Sequence, residues 1–205
     1  MKRLAALALF ALTLPLFAAG PVIDPNTAKV DPATGVQWFD IRALGVEGQG
    51  WTDTKLPFDR LPAKAEKTAR PPVWNLSRNS TGLCVRFVTD ATTIHARWTL
   101  ASKNLAMPHM PATGVSGLDL YVKSAAGKWQ WLANGRPTAE TNTAQLASGL
   151  PAGEKEYLLY LPLYNGVSSV EIGLPKGTTL KKADARPADK QTPIIFYGTS
   201  ITQGG

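Results

Sequence analysis

The stretch Ile194-Ile195-Phe196-Tyr197-Gly198-Thr199-Ser200-Ile201-Thr202-Gln203-Gly204-Gly205 delivers a serine from an apolar quartet into a glycine-rich turn. Four apolar residues ended by a glycine suit a strand covered on both faces, and open α/β sheets carry their functional groups at the carboxyl ends of such strands. A serine there, among small neighbours and free backbone amides, has the setting of an acyl-transfer nucleophile. A carbonyl can approach its hydroxyl, and the amides can hold the oxyanion. A phosphate loop would need a lysine opening the next helix, and Gly198 to Gly205 holds none; G-x-G-x-x-G is also missing. On these residues alone, an ordinary strand-to-loop turn without chemistry remains open.

Other side chains able to do chemistry are few. His95 falls on the polar phase of an alternating run, and His109 stands between Met107-Pro108 and Met110-Pro111. Both read as surface or loop histidines rather than as bases for Ser200. Two histidines and one cysteine far apart give no metal-ligand spacing, and no cofactor motif is present. Cys84 has no partner for an intramolecular disulfide and sits in a strand-like run, so it reads as a buried, inert thiol. Of the six tryptophans, core packing claims most. Trp51, between Gly50 and Thr52, is the candidate exposed aromatic for ligand binding, and Trp129 and Trp131 at i and i+2 share one strand face.

The elements that must position these residues alternate with period two. Leu83, Val85 and Phe87 form one apolar phase, Ile94, Ala96, Trp98 and Leu100 a second, and Leu118, Leu120 and Val122 a third. Further strand-like runs are Trp129 to Leu132, Tyr157 to Leu163 and Val167 to Leu174, divided by loops rich in Gly, Pro, Asn and Ser. No dozen residues keep a helical apolar face. The pattern predicts an all-β, antiparallel two-sheet sandwich, jelly-roll-like, over residues 21–182. A linker follows over 183–192, and then the orphan strand at 193–197.

The amino end carries an address. Met1-Lys2-Arg3, an apolar Leu4 to Phe17 and Ala18-Ala19-Gly20 read as a secretory signal peptide over 1–20, too short for stable membrane insertion. The expected location is secreted or periplasmic. The formal charge of +7 falls to +5 when Lys2 and Arg3 leave with the signal. The remaining basic residues make no stripe interleaved with aromatics, which argues against a nucleic-acid partner.

Tyr197-Gly198-Thr199-Ser200-Ile201-Thr202-Gln203-Gly204 resembles the first sequence block of the SGNH (GDSL-like) hydrolases. Gly117-Leu118-Asp119-Leu120-Tyr121 is similar to the Gly-x-Asp-Leu-Tyr signature of the β-rich domain at the amino end of certain bacterial SGNH esterases. With Trp74 to Ser77 and Gly82 to Phe87, the two matches cover most of the mature chain. The resemblance implies that residues 193–205 begin a flavodoxin-like α/β hydrolase domain. Ser200 would be its nucleophile, and the Ser200 amide would help to hold the oxyanion. The family's oxyanion Gly and Asn and its Asp-x-x-His come from later blocks, and only five residues follow Ser200. The expectation is therefore the front part of an exported ester hydrolase, truncated and inactive by itself, whose partners are the missing carboxyl-terminal domain and a small ester such as an acylated carbohydrate. Asp119 is expected either to hold its strand edge through turn amides, Arg86 or Arg97, or to contribute a binding surface beside the hydrolase domain. The rival reading is a carbohydrate-binding or purely structural sandwich without catalysis.

Overall fold

The computed structural model describes residues 20–204. The expected signal segment lies outside the described residues apart from Gly20. Eleven strands follow one another: β1 (Lys29–Val30), β2 (Gln37–Asp40), β3 (Val46–Glu47), β4 (Cys84–Thr89), β5 (Ile94–Leu100), β6 (Leu118–Lys123), β7 (Trp129–Gly135), β8 (Thr141–Ala147), β9 (Lys155–Tyr160), β10 (Val167–Leu174) and β11 (Leu180–Lys182). Three short helices interrupt them: α1 (Pro71–Ser77), α2 (Ala112–Ser116) and α3 (Ser200–Gln203).

Every pairing is antiparallel. One sheet runs β1-β2-β10-β5-β8; the other runs β11-β4-β9-β6-β7, with β3 also paired to β4. From β4 to β6 and from β7 to β11 the chain passes from one sheet to the other at each step. The core is therefore closed by contacts distant in sequence, and both sheets depend on each other.

Period-two patterning decides which side chains enter that core. In β5, Ile94, Ala96, Trp98 and Leu100 are buried while His95, Arg97 and Thr99 face outward. Leu83, Val85, Phe87, Leu118, Leu120 and Leu159 meet them from the other sheet with essentially no exposure. Trp98 keeps its indole N–H satisfied by donating to the Ser116 carbonyl at 3.2 Å, so its large apolar area is buried without an unpaired donor. Trp38, Trp74 and Trp98 are buried, whereas Trp51, Trp129 and Trp131 are exposed.

The orphan strand is not formed. Ile194, Ile195, Phe196 and Tyr197 are between 79% and 93% exposed and pair with nothing among the described residues. Their apolarity marks them for a sheet interior, but a strand exists only where a neighbour accepts and donates its ladder hydrogen bonds. No helix among the described residues is long and apolar enough to cross a membrane.

Candidate active site

Ser200 opens α3, after Thr199 in extended backbone. The first intrahelical bond is made by the Gln203 N–H to the Thr199 carbonyl at 3.2 Å. The N–H groups of Ser200, Ile201 and Thr202 precede it and have no intrahelical partner. Gly198 makes the turn this tight: a Cβ there would lie 2.1 Å from Thr202 Oγ1 and 2.9 Å from Thr202 Cβ.

Three contacts dock the serine turn on the loop 161–166 between β9 and β10. The Tyr164 hydroxyl donates to the Ser200 carbonyl at 2.9 Å. The Gln203 Nε2 donates to the Leu163 carbonyl at 3.1 Å. Gly204, at φ 111°, lies against the Leu163 side chain. The sequence carries no signal for this docking role of Tyr164 or Leu163, because the partners stand 36 and 40 residues apart, and its pattern puts Leu163 at the end of a strand that stops at Tyr160.

No base reaches the serine among the described residues; Ser200 Oγ has no hydrogen-bond partner there. His95 lies outward on β5 edge-on to Trp38, with ring centroids 6.3 Å apart, and partial burial lowers its pKa. His109 is exposed in a turn closed by reciprocal Met107 and Met110 backbone bonds.

Asp119 is held differently from the expectation. Its Oδ1 accepts from Asn134 Nδ2 at 3.0 Å and from Trp131 Nε1 at 3.3 Å, both on β7. Neither arginine reaches it. Arg86 pairs with Glu47 and Glu156, and Arg97 with Glu171, because each of those carboxylates faces its guanidinium on an adjacent strand. Asp119 thereby fixes the indole of Trp131, which is 60% exposed on the outer face of its sheet. Tyr121 and Tyr160 meet edge to face on the same side, 5.9 Å apart. Trp51 is 47% exposed in its loop, as expected, and no hydrogen bond links it to Ser200 or Asp119.

The segment leading to the serine is also tethered. Arg86, near the middle of β4, donates to the Asp184 carbonyl at 2.9 Å, and Arg186 pairs with Glu47 at 2.5 Å.

Residues 36–180 match the GxDLY family, described as "N-terminus of Esterase_SGNH_hydro-type". The chain belongs to this family. The GxDLY chain also resembles a crystal structure from Bacteroides ovatus ATCC 8483 named as a GDSL-like lipase, with 33% identity and a TM-score of 0.68 over 73% of this chain and 43% of that one. A second solved structure is the salicylyl-acyltransferase SsfX3 from a tetracycline biosynthetic pathway, at 21% identity and TM-score 0.48, over 78% of this chain and 41% of that one. The chain thus spans less than half the length of both structures. A search of the curated proteins gave no match.

The structure accounts for each residue of the GxDLY signature. A Cβ on Gly117 would lie 2.2 Å from the Thr113 carbonyl oxygen, so only glycine lets α2 close directly onto β6. Leu118 and Leu120 are wholly buried core residues, Asp119 ties β6 to β7, and Tyr121 joins the outer aromatic pair.

Proposed function

We propose that this chain is the amino-terminal part of an exported SGNH-type serine ester hydrolase that removes small acyl groups from carbohydrates. Ser200 attacks the ester carbonyl, and its own backbone amide helps to hold the oxyanion. A histidine from a carboxyl-terminal region, beyond these 205 residues, acts as base. The observation that carries the reading is the serine turn itself: a Gly198-limited strand-to-helix turn with free N–H donors, fixed by Tyr164 to a GxDLY domain. The passage of successive strands from sheet to sheet supports a jelly-roll-like description, and the apolar run Ile194 to Tyr197 suits the first strand of a flavodoxin-like domain. Without the base, the 205-residue chain is inactive.

Hydrolysis of p-nitrophenyl acetate by the product of the complete reading frame, beside its Ser200→Ala variant and the 205-residue chain, tests this. The complete product turns over, and Ser200→Ala loses roughly 10³-fold or more in kcat. A Ser200→Ala variant with full rate would end the esterase reading.

A second reading, a carbohydrate-binding sandwich without catalysis, draws on Trp131 and Trp129, 60% and 36% exposed on one outer sheet face. Retained affinity for polysaccharide after Trp131→Ala would remove its basis.

A further inference from the structure

A cleft of about 520 Å³ opens between the end of α1, the loop after β5 and Tyr164. It is an open groove rather than an enclosed pocket, so a ligand there would keep one face toward water. Tyr164 is the residue whose hydroxyl donates to the Ser200 carbonyl, so this one residue touches both the cleft and the serine turn. A smaller cleft, about 390 Å³, at Pro25, Gln37 and Lys176 shares no residue with the serine turn or its docking loop.

The lining is neutral and of two kinds. Asn75, Asn79 and Asn104 contribute carboxamides whose side-chain atoms bond to no other group among the described residues, while Leu76, Met107 and Val115 supply apolar surface. A carboxamide offers donors and an acceptor together, which matches the hydroxyls of a sugar. None of the lining residues is charged, so a phosphate or acidic sugar would be desolvated there without a cation. An alkyl chain would strip water from three amides and pair with none of them.

The walls are held in place before any ligand arrives. Asn165, 2% exposed, accepts from the Ser102 N–H at 3.1 Å and donates to the Ser102 carbonyl at 2.9 Å and to Ser116 Oγ at 3.0 Å. Arg60 donates to the Leu76 and Asn79 carbonyls at 2.7 and 2.9 Å, pinning the end of α1. Such preorganisation lowers the ordering cost of binding.

We infer that this cleft is the subsite for the alcohol part of the ester and takes an uncharged sugar ring. The inference rests on the reading of Ser200 as nucleophile for its alcohol-side role, though not for the binding itself. The test is a titration of the ¹⁵N-labelled 205-residue chain with methyl glycosides of xylose, glucose and galactose, and with butyrate, followed by NMR. The side-chain amide signals of Asn75, Asn79 and Asn104 should shift and saturate with at least one glycoside, with Kd on the order of 1–10 mM. An Asn75→Ala, Asn104→Ala double variant weakens this about 10-fold or more, and Ser200→Ala binds like the wild type. Both asparagines are exposed, and the wild-type titration decides the question even if the double variant fails to fold. Absence of shifts with all three glycosides, a response to butyrate alone, or shifts centred on the Trp129 and Trp131 indoles overturns the site. Should Ser200→Ala keep full hydrolytic rate while the glycoside shifts persist, the alcohol-side role falls and the sugar site stands.

Discussion

Cys84 lies 6% exposed at the start of β4, paired across the sheet with Tyr160 and Glu47. Burial pushes its pKa up to about 11, with the Glu47 charge acting in the same direction. The thiolate is the reactive form, so at pH 8 the native thiol is almost wholly protonated as well as covered. Iodoacetamide at pH 8 should therefore modify Cys84 about 100-fold or more slowly in the native chain than in urea, where the thiol returns to about 8.5. Mass spectrometry over time reads this directly, and equal rates would mean that β4 opens in the native state. The inert reading of Cys84 follows from the sequence because it depends on local pattern and on the absence of a second cysteine. The partners of Asp119 do not, because Arg97 and Arg86, 22 and 33 places away, and Asn134, fifteen places away, are equally plausible partners until strands are paired.

At the scale of elements, the loop between β9 and β10 concentrates the molecule's polar architecture. Leu163 and Tyr164 hold the serine turn, and the next residue, Asn165, ties the loop after β5 to the end of α2. Replacing Asn165 by Ala removes those three side-chain bonds and leaves both backbone groups of Ser102 without this partner. The expected cost is roughly 2 kcal/mol, or about 4–8 °C in Tm for a domain of this size. Asn165→Asp keeps the acceptor for the Ser102 N–H but buries a carboxylate with one oxygen facing the Ser102 carbonyl, so it should lose at least as much. Calorimetry of both variants checks this, and an unchanged Tm in Asn165→Ala would show that the loop is not anchored there. In the sequence, Asn165-Gly166 reads only as a turn signal, since its partners are 49 and 63 residues away. β5 is legible because its alternation is complete. β8 is not, because Thr141–Ala147 sends only Asn142 and Leu146 fully inward and shows polar residues elsewhere. The quartet before Gly198 has the composition of a buried strand yet stands exposed and unpaired, because a strand forms only where a neighbouring strand completes its ladder.

Across the whole molecule, four of the six strands of the β4 sheet are tied on their outer face by a chain of ion pairs. Lys123 on β6 meets Glu156 on β9 at 2.6 Å, Glu156 meets Arg86 on β4 at 2.8 Å, Arg86 meets Glu47 on β3 at 2.6 Å, and Glu47 meets Arg186 ahead of the serine turn at 2.5 Å. Glu156 is the carboxylate shared by Lys123 and Arg86. Burial favours its neutral form, but the hydrogen bonds from Lys123 and Arg86 outweigh this and hold its pKa below the ordinary 4.5. The folded state then binds fewer protons than the unfolded state at acid pH. The stabilisation is complete above the unfolded pKa near 4.5 and is lost as pH falls through the lower folded value. Glu156→Gln should cost roughly 2 kcal/mol at pH 7, since it leaves Arg86 and Lys123 short of a charge partner. The difference from wild type should shrink once both chains carry a neutral group at this position. Urea unfolding of the two proteins at pH 7, 5 and 3 measures this; a gap that stays constant down to pH 3 would mean that Glu156 contributes by packing alone. Because the same chain of charges ends on Arg186, the acid-weakened state should also release the 183–192 segment. Its backbone amides should then exchange with solvent faster at pH 3 than the acid dependence of intrinsic exchange allows, while those of the β5 and β10 ladder stay protected.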